Sequence, residues 1–167
     1  MATGSQVEVR TITPDDWQAW RELRLAALQQ SPEAFGSRYD DWVNASEVAW
    51  RRRLSDGPMF VIASVAGEPC GLAAGHIDDA SGQRFLISLW VRPSCRRKGV
   101  AEALIGAVAQ WAKVESDHLY LNVRVDNDAA RSLYEKLGFL VVGPAPHEED
   151  EPPELVMRKR TRKADSV

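Results

Sequence analysis

Residues 85–111 read FLISLWVRPSCRRKGVAEALIGAVAQW, and the fold turns on how this stretch divides. Phe85–Val91 is an apolar run of strand length, rich in β-formers and stopped by Pro93. Ser94–Gly99 is a short connection carrying Arg96, Arg97 and Lys98 beside a glycine. From Val100 onward, Val100, Leu104, Val108 and Trp111 recur at helical spacing, flanked by Ala101, Ile105 and Ala112. The stretch reads strand, turn, helix.

The joint is electrostatically unusual. Arg96, Arg97 and Lys98 precede a helix N-terminus, where the macrodipole and unpaired N–H groups already make the potential positive. Repulsion there disfavours the helix start by roughly a few tenths of a kcal/mol per charge. The arrangement makes sense if an anion docks, because backbone N–H groups, dipole and side chains then converge on it. Gly99 removes a Cβ where a backbone must approach closely, and Ala101 keeps the next position small. Neither a Walker A loop nor the dinucleotide GxGxxG pattern is present. A phosphate is the guest this chemistry suits; the alternative is a basic turn on a solvated surface.

Outward from this centre the chain alternates strands and helices. Val7–Ile12 alternates as a strand, Thr13 caps a helix with Pro14 at its first position, and that helix runs from Trp17 to about Gln30. Residues 36–45 are loop-like, and Ser46 opens a second helix that ends near Asp56-Gly57-Pro58. Met59–Val65 and Gly71–Ile77 form a hairpin around Ala66-Gly67-Glu68-Pro69, and a second turn leads into Phe85–Val91. After the central helix, His118–Val125 alternates as a strand, and Ala129–Leu137 is helical with Gly138 as its C′ residue. Phe139–Val142 and Glu154–Arg158 are strands flanking an acidic, proline-rich loop, and residues 159–167 read as a disordered tail. The order predicts an α/β fold, a mixed sheet covered on both faces, in a single domain spanning residues 1–167.

Two motifs in this order resemble one known family. Arg96, Gly99 and Ala101 fill the three defined positions of (Gln/Arg)-x-x-Gly-x-(Gly/Ala), the acetyl-CoA signature of the GNAT superfamily of N-acetyltransferases. Residues 127–139, from Asn127 through Ala130, Leu133 and Tyr134 to Gly138 and Phe139, are similar to that family's Asn-x-x-Ala-x-x-Leu-Tyr-x-x-x-Gly-Phe segment at every defined position. The resemblance implies the GNAT fold, with a mostly antiparallel sheet of six to seven strands. It implies that the backbone of Arg96, Arg97, Lys98, Gly99, Val100, Ala101 and Glu102 holds the CoA pyrophosphate. The preceding Leu89, Trp90 and Val91 would pair with the pantetheine arm. Asn127 and Arg131 would contact the cofactor from the second helix, and Tyr134 would donate a proton to the departing thiolate. Dimers are common in the family, so a homodimer is one option.

Acetyl transfer from a thioester needs a neutral amine, donors for the developing oxyanion and a proton for the thiolate, and no metal. The base is where the sequence departs from its relatives. Many carry a glutamate on the fourth strand or in a Leu-Glu-Val segment on the fifth, whereas here Phe85–Ser88 and Leu121-Asn122-Val123 supply none. Ser88 and Asn122 line the expected acceptor side, and Asn122 is no base at neutral pH. Histidine is the side chain whose charge changes near neutral pH, but His76 stands alone on a strand. Glu33 and Glu47 lie in the acceptor-side region without a positional argument. Phe35, Tyr39 and Trp42 gather large rings on a loop-like segment, which suits an acceptor wall for a cationic amine headgroup. Trp17 and Trp20 fall on the apolar side of their helix and read as core.

Composition narrows the classes. A net charge of −3 gives no global pull toward nucleic acid or acidic membrane, and no run approaches a membrane span of ~18 apolar residues. Arg51-Arg52-Arg53 reads as a solvated helix face, and 158–163 as a frayed basic tail, with no nucleic-acid motif around either. The two cysteines, Cys70 and Cys95, form neither a metal spacing nor a disulfide framework, and a reducing cytoplasm fits them. The expectation is an acetyl-CoA-dependent N-acetyltransferase acting on a small-molecule or peptide amine in a ternary complex. A non-catalytic CoA-binding domain of the same fold, and a nucleic-acid module built on the basic clusters, are the rivals.

Overall fold

The computed structural model describes residues 6–32, 35 and 37–161. Period-two alternation in the strands sorts their side chains onto two faces of a sheet. Val61, Ala63, Ala73 and Leu86 join one buried cluster with Val100, Leu104, Ile105 and Val108, while Phe60, Ile62, Leu72, Ala74 and Trp90 join another with Trp20, Leu23 and Trp50. One sheet therefore carries two apolar layers, each closed by helices.

The strands are β1 (Val7–Thr11), β2 (Met59–Val65), β3 (Glu68–Ile77), β4 (Arg84–Val91), β5 (His118–Arg124), β6 (Leu140–Pro144) and β7 (Glu154–Arg160). They hydrogen-bond in the order β1-β2-β3-β4-β5-β7-β6, antiparallel except for the parallel pair β4 and β5. The helices are α1 (Trp17–Gln30), α2 (Tyr39–Trp42), α3 (Glu47–Asp56), α4 (Val100–Ala112) and α5 (Asp128–Lys136). The Ser46 hydroxyl accepts from Ala49 N–H and starts α3. Asn127 Oδ1 accepts from Ala130 N–H and starts α5. Gly138, at φ +95°, ends the turn after α5 in a conformation that favours glycine.

Two expectations need correction. Residues 39–42 are a short helix rather than loop, because Tyr39 and Trp42 use it to reach the layer containing Trp20 and Trp50. The last strand runs on through Lys159 and Arg160, which pair with Leu119 and His118, so no disordered tail begins there. The Thr161 hydroxyl donates to the Ser116 carbonyl at 2.7 Å and fastens the end of that strand. The rest of the expected tail, residues 162–167, lies outside the described residues, as do Glu33 and Gly36.

Candidate active site

Two strands that begin together and then part create the site. β4 and β5 share one register pair, Phe85 with Tyr120, near their N-terminal ends. Beyond it the C-terminal halves of both strands line open space instead of each other. A bulge helps turn β4 away. Leu72 pairs with Trp90 and Ala74 with Ile87, so Ser88 and Leu89 together face the single residue Ala73. Ser88 adopts φ +60°, unusual for a residue with a Cβ and costing on the order of 1–3 kcal/mol. A bulge leaves one residue's backbone groups outside the sheet ladder, and Ser88 and Leu89 both line the cleft.

On one side of the cleft a cavity of about 710 Å³ runs along β4 to the start of α4. Leu89, Trp90, Val91, Arg96, Arg97, Gly99, Val100, Ala101 and Glu102 line it, with α5 opposite. Gly99 at φ +81° and Arg97 at φ +64° wind the loop so that it ends at the open N-terminus of α4. The left-handed backbone at Arg97 is costly for a side-chain-bearing residue and is held despite that cost. Arg96 is fastened to the scaffold. Its Nε donates to the Val91 carbonyl at 3.1 Å and its Nη2 to Gln30 Oε1 at 3.3 Å. The same Gln30 oxygen accepts from Trp90 Nε1 at 2.8 Å, so the end of α1 ties β4 to the basic loop. No motif singles out Gln30 as this link.

On the other side a second cavity, about 460 Å³, is lined by Arg24, Phe35, Ser37, Arg53, Phe85–Leu89, Leu121–Arg124 and Glu154. The two cavities have Leu89, Asn127, Ala130 and Tyr134 in common. Tyr134 packs edge-on against Phe139, and burial pushes its phenol up to about 12. It therefore holds its proton at neutral pH at the junction of both spaces.

The charges of the second cavity are unevenly matched. Arg124 forks onto Asp126, with Nε to Oδ1 at 3.0 Å and Nη2 to Oδ2 at 2.9 Å. Arg24 and Arg53 have no ion pair within 4 Å among the described residues. The Arg24 guanidinium lies 4.6 Å over the Phe35 ring, and its Nη1 is buried without a hydrogen-bond partner. Leaving a charged donor unmet costs roughly 1–3 kcal/mol or more. Burial, and then the nearby charge of Arg53, push Arg24 down to about 10, so it still carries its charge at neutral pH. Burial likewise lowers Arg53, against a raising influence from Asp56. Arg53 is thus half-buried over Phe60 at 5.3 Å and lines a cavity, which corrects its reading as part of a solvated face. Its neighbour Arg51 fits that reading, paired with Glu47 and Asp15 at 2.8 Å each.

Of the residues singled out in the sequence, Phe35, Ser88 and Asn122 line the second cavity. Tyr39 and Trp42 line neither cavity: both pack on the apolar layer, and the Trp42 ring meets Trp50 at a tilt, centroids 4.8 Å apart. His76 is exposed on β3 opposite Phe85, outside both spaces. Lys98 is exposed and lines neither. Arg131 also lines neither, its Nη1 lying 3.5 Å from the Val125 carbonyl and 3.9 Å from Asp128. Asn127 caps α5 and lines both cavities at once. Glu154 is another residue that sequence reading missed, a carboxylate in the second cavity brought there by pairing of β7 with Arg124. Among the described residues no cluster of histidine, cysteine or carboxylate side chains is arranged to hold a metal. No described helix is long and apolar enough to cross a membrane.

Comparison with known proteins places the chain in a family and agrees with its fold. The family model described as Acetyltransferase (GNAT) family matches residues 17–139. Acetyltransferase ECA0875 of Pectobacterium atrosepticum is 34% identical over 142 residues, covering 81% of this chain and 89% of the relative. Among solved structures, an acetyltransferase of the GNAT family from Streptococcus pneumoniae superposes with a TM-score of 0.70 at 18% identity, covering 93% of this chain and 99% of that one. The PaiA N-acetyltransferase of Thermoplasma acidophilum, solved in complex with coenzyme A, superposes with a TM-score of 0.68 at 18% identity over 93% of this chain and 99% of that one.

Proposed function

Because the chain belongs to the Acetyltransferase (GNAT) family, whose members are acyltransferases, we propose that it transfers an acetyl group from acetyl-CoA to a primary amine by direct attack, with both substrates bound at once. The observation that carries this reading is the sharing of Tyr134, Leu89, Asn127 and Ala130 between two cavities of different character. The larger one ends at a helix N-terminus wrapped by Arg96, Arg97 and Gly99, which suits the pyrophosphate of CoA. The smaller one takes the amine.

The chemistry follows from what lines the junction. The neutral amine nitrogen bonds to the thioester carbonyl carbon, and the carbonyl oxygen gathers charge that bulge amides near Ser88 and Leu89 can stabilise. The carbon–sulfur bond then breaks. The sulfur takes its proton from the Tyr134 hydroxyl, which regains one from solvent. The amine loses its extra proton to Glu154, the one carboxylate among the residues lining the acceptor cavity, directly or through water.

The test is thiol release from acetyl-CoA measured over a panel of primary amines, with the acetylated product identified by mass. Amine-dependent release matched by N-acetyl product supports the reading. Tight acetyl-CoA binding with no amine-dependent release would replace it with a non-catalytic CoA-binding role.

A further inference from the structure

Resting on the acetyl-transfer reading of the same site, we propose that the acceptor is a small amine bearing a carboxylate, which Arg24 and Arg53 recognise. Both arginines line the acceptor cavity, one from the middle of α1 and one from α3. Neither lines the larger cavity, so the phosphates proposed to dock beside Arg96 and Gly99 are not their partners. The two guanidinium groups repel each other, and no carboxylate among the described residues forms an ion pair with either. The Arg24 Nη1 donor is buried, unmet and held in place by the Phe35 ring beneath the guanidinium. A guanidinium that lines a cavity, rests on a ring and has no ion pair among the described residues suits a planar anion, met through the part of the group that faces the cavity.

The same arrangement argues against a polycationic acceptor. The Phe35 face that would stack on an ammonium group is already covered by Arg24. A second ammonium on the substrate would meet two like charges in a half-enclosed space. Glu154 in the same cavity suits the single ammonium of the reacting end. The pattern is one negative and two positive receptors, complementary to an amino acid. A cavity of about 460 Å³ is of small-molecule size.

The experiment compares matched acceptors with acetyl-CoA held saturating. The panel holds the twenty L-amino acids, their carboxamides, O-phosphoethanolamine, spermidine and kanamycin. The expected result is a kcat/KM at least tenfold higher for the best amino acid than for its carboxamide, with spermidine and kanamycin poorer still. In Arg24→Gln that acid-to-amide ratio should fall at least tenfold. Equal use of acid and amide, or preference for spermidine or kanamycin, overturns the proposal. Preference for O-phosphoethanolamine overturns the carboxylate in favour of a phosphate. A second measurement needs neither turnover nor a variant: ligand-observed NMR of N-acetyl amino acids against their carboxamides, with CoA present. Binding of at least one acid over its amide supports the proposal, and absence of discrimination in every pair overturns it. Failure of acetyl-CoA itself to bind would instead remove the acetyl-transfer reading, which calorimetry shows separately.

Discussion

The rings of Tyr134 and Phe139 meet edge-on, with centroids 5.8 Å apart and planes at 63°. Phe139 is fully buried, so this contact anchors Tyr134 by its ring. No described residue hydrogen-bonds to the Tyr134 hydroxyl, which is left for a substrate atom. Tyr134→Phe keeps the packing and deletes only the oxygen. We expect kcat to fall about 10²-fold or more, with stability changed by less than about 1 kcal/mol. Turnover assays and thermal melts check this together. Intact turnover with a lowered Tm would make Tyr134 a packing residue only.

The same burial fixes a pH dependence. Tyr134 titrates at about 12 in the folded chain, above its ordinary 10.0. The raised value means the proton stays on through the whole range in which acceptor amines become neutral. We therefore expect kcat to rise with pH as the amine deprotonates, with no alkaline decline due to Tyr134 below about pH 11. The linked stability has the matching sign: present below pH 10, it is lost as pH rises through 12. Tyr134→Phe should lessen that alkaline loss, which melts at pH 9 and pH 11 would reveal.

Gly99 sits at φ +81° with open space where a Cβ would be. Substitution meets no protein atom, so its effect on the fold is confined to backbone strain of roughly 1–2 kcal/mol. The bound phosphate is what a side chain would obstruct. Gly99→Val is expected to weaken acetyl-CoA binding at least tenfold, about 1.4 kcal/mol, while the protein still melts cooperatively. Unchanged affinity in calorimetry would remove the loop from the site.

What the sequence disclosed followed distance along the chain. The loop and helix around Gly99, and the helix carrying Asn127 and Tyr134, are local patterns, and their elements were legible to within a few residues. The open angle between β4 and β5 was not, because it depends on a bulge at Ser88 that nothing in FLISLWV announces. Arg24 and Arg53 were lost among helix-surface residues, since helical spacing says which side an arginine takes but not whether a cavity lies there. Glu154 was hidden for a similar reason. It stands 30 residues beyond Arg124 in sequence and reaches the cleft only through antiparallel pairing of the last strand.

Phe35 and Trp42 separate two roles that their composition made look alike. Trp42 packs at a tilt 4.8 Å from the buried Trp50 and belongs to the apolar layer with residues of α1 and α3. Trp42→Ala should cost about 2 kcal/mol or more and lower acceptor and acetyl-CoA performance only through loss of folded protein. Phe35 supports the Arg24 guanidinium at 4.6 Å and lines the acceptor cavity. Removing its ring frees that guanidinium to turn toward solvent, so the substrate has to order it on binding. Phe35→Ala should therefore raise the acceptor KM severalfold and leave acetyl-CoA affinity, measured by calorimetry, as it was. If instead Phe35→Ala lowers Tm as far as Trp42→Ala does and leaves KM alone, the ring serves only to hold the domain together.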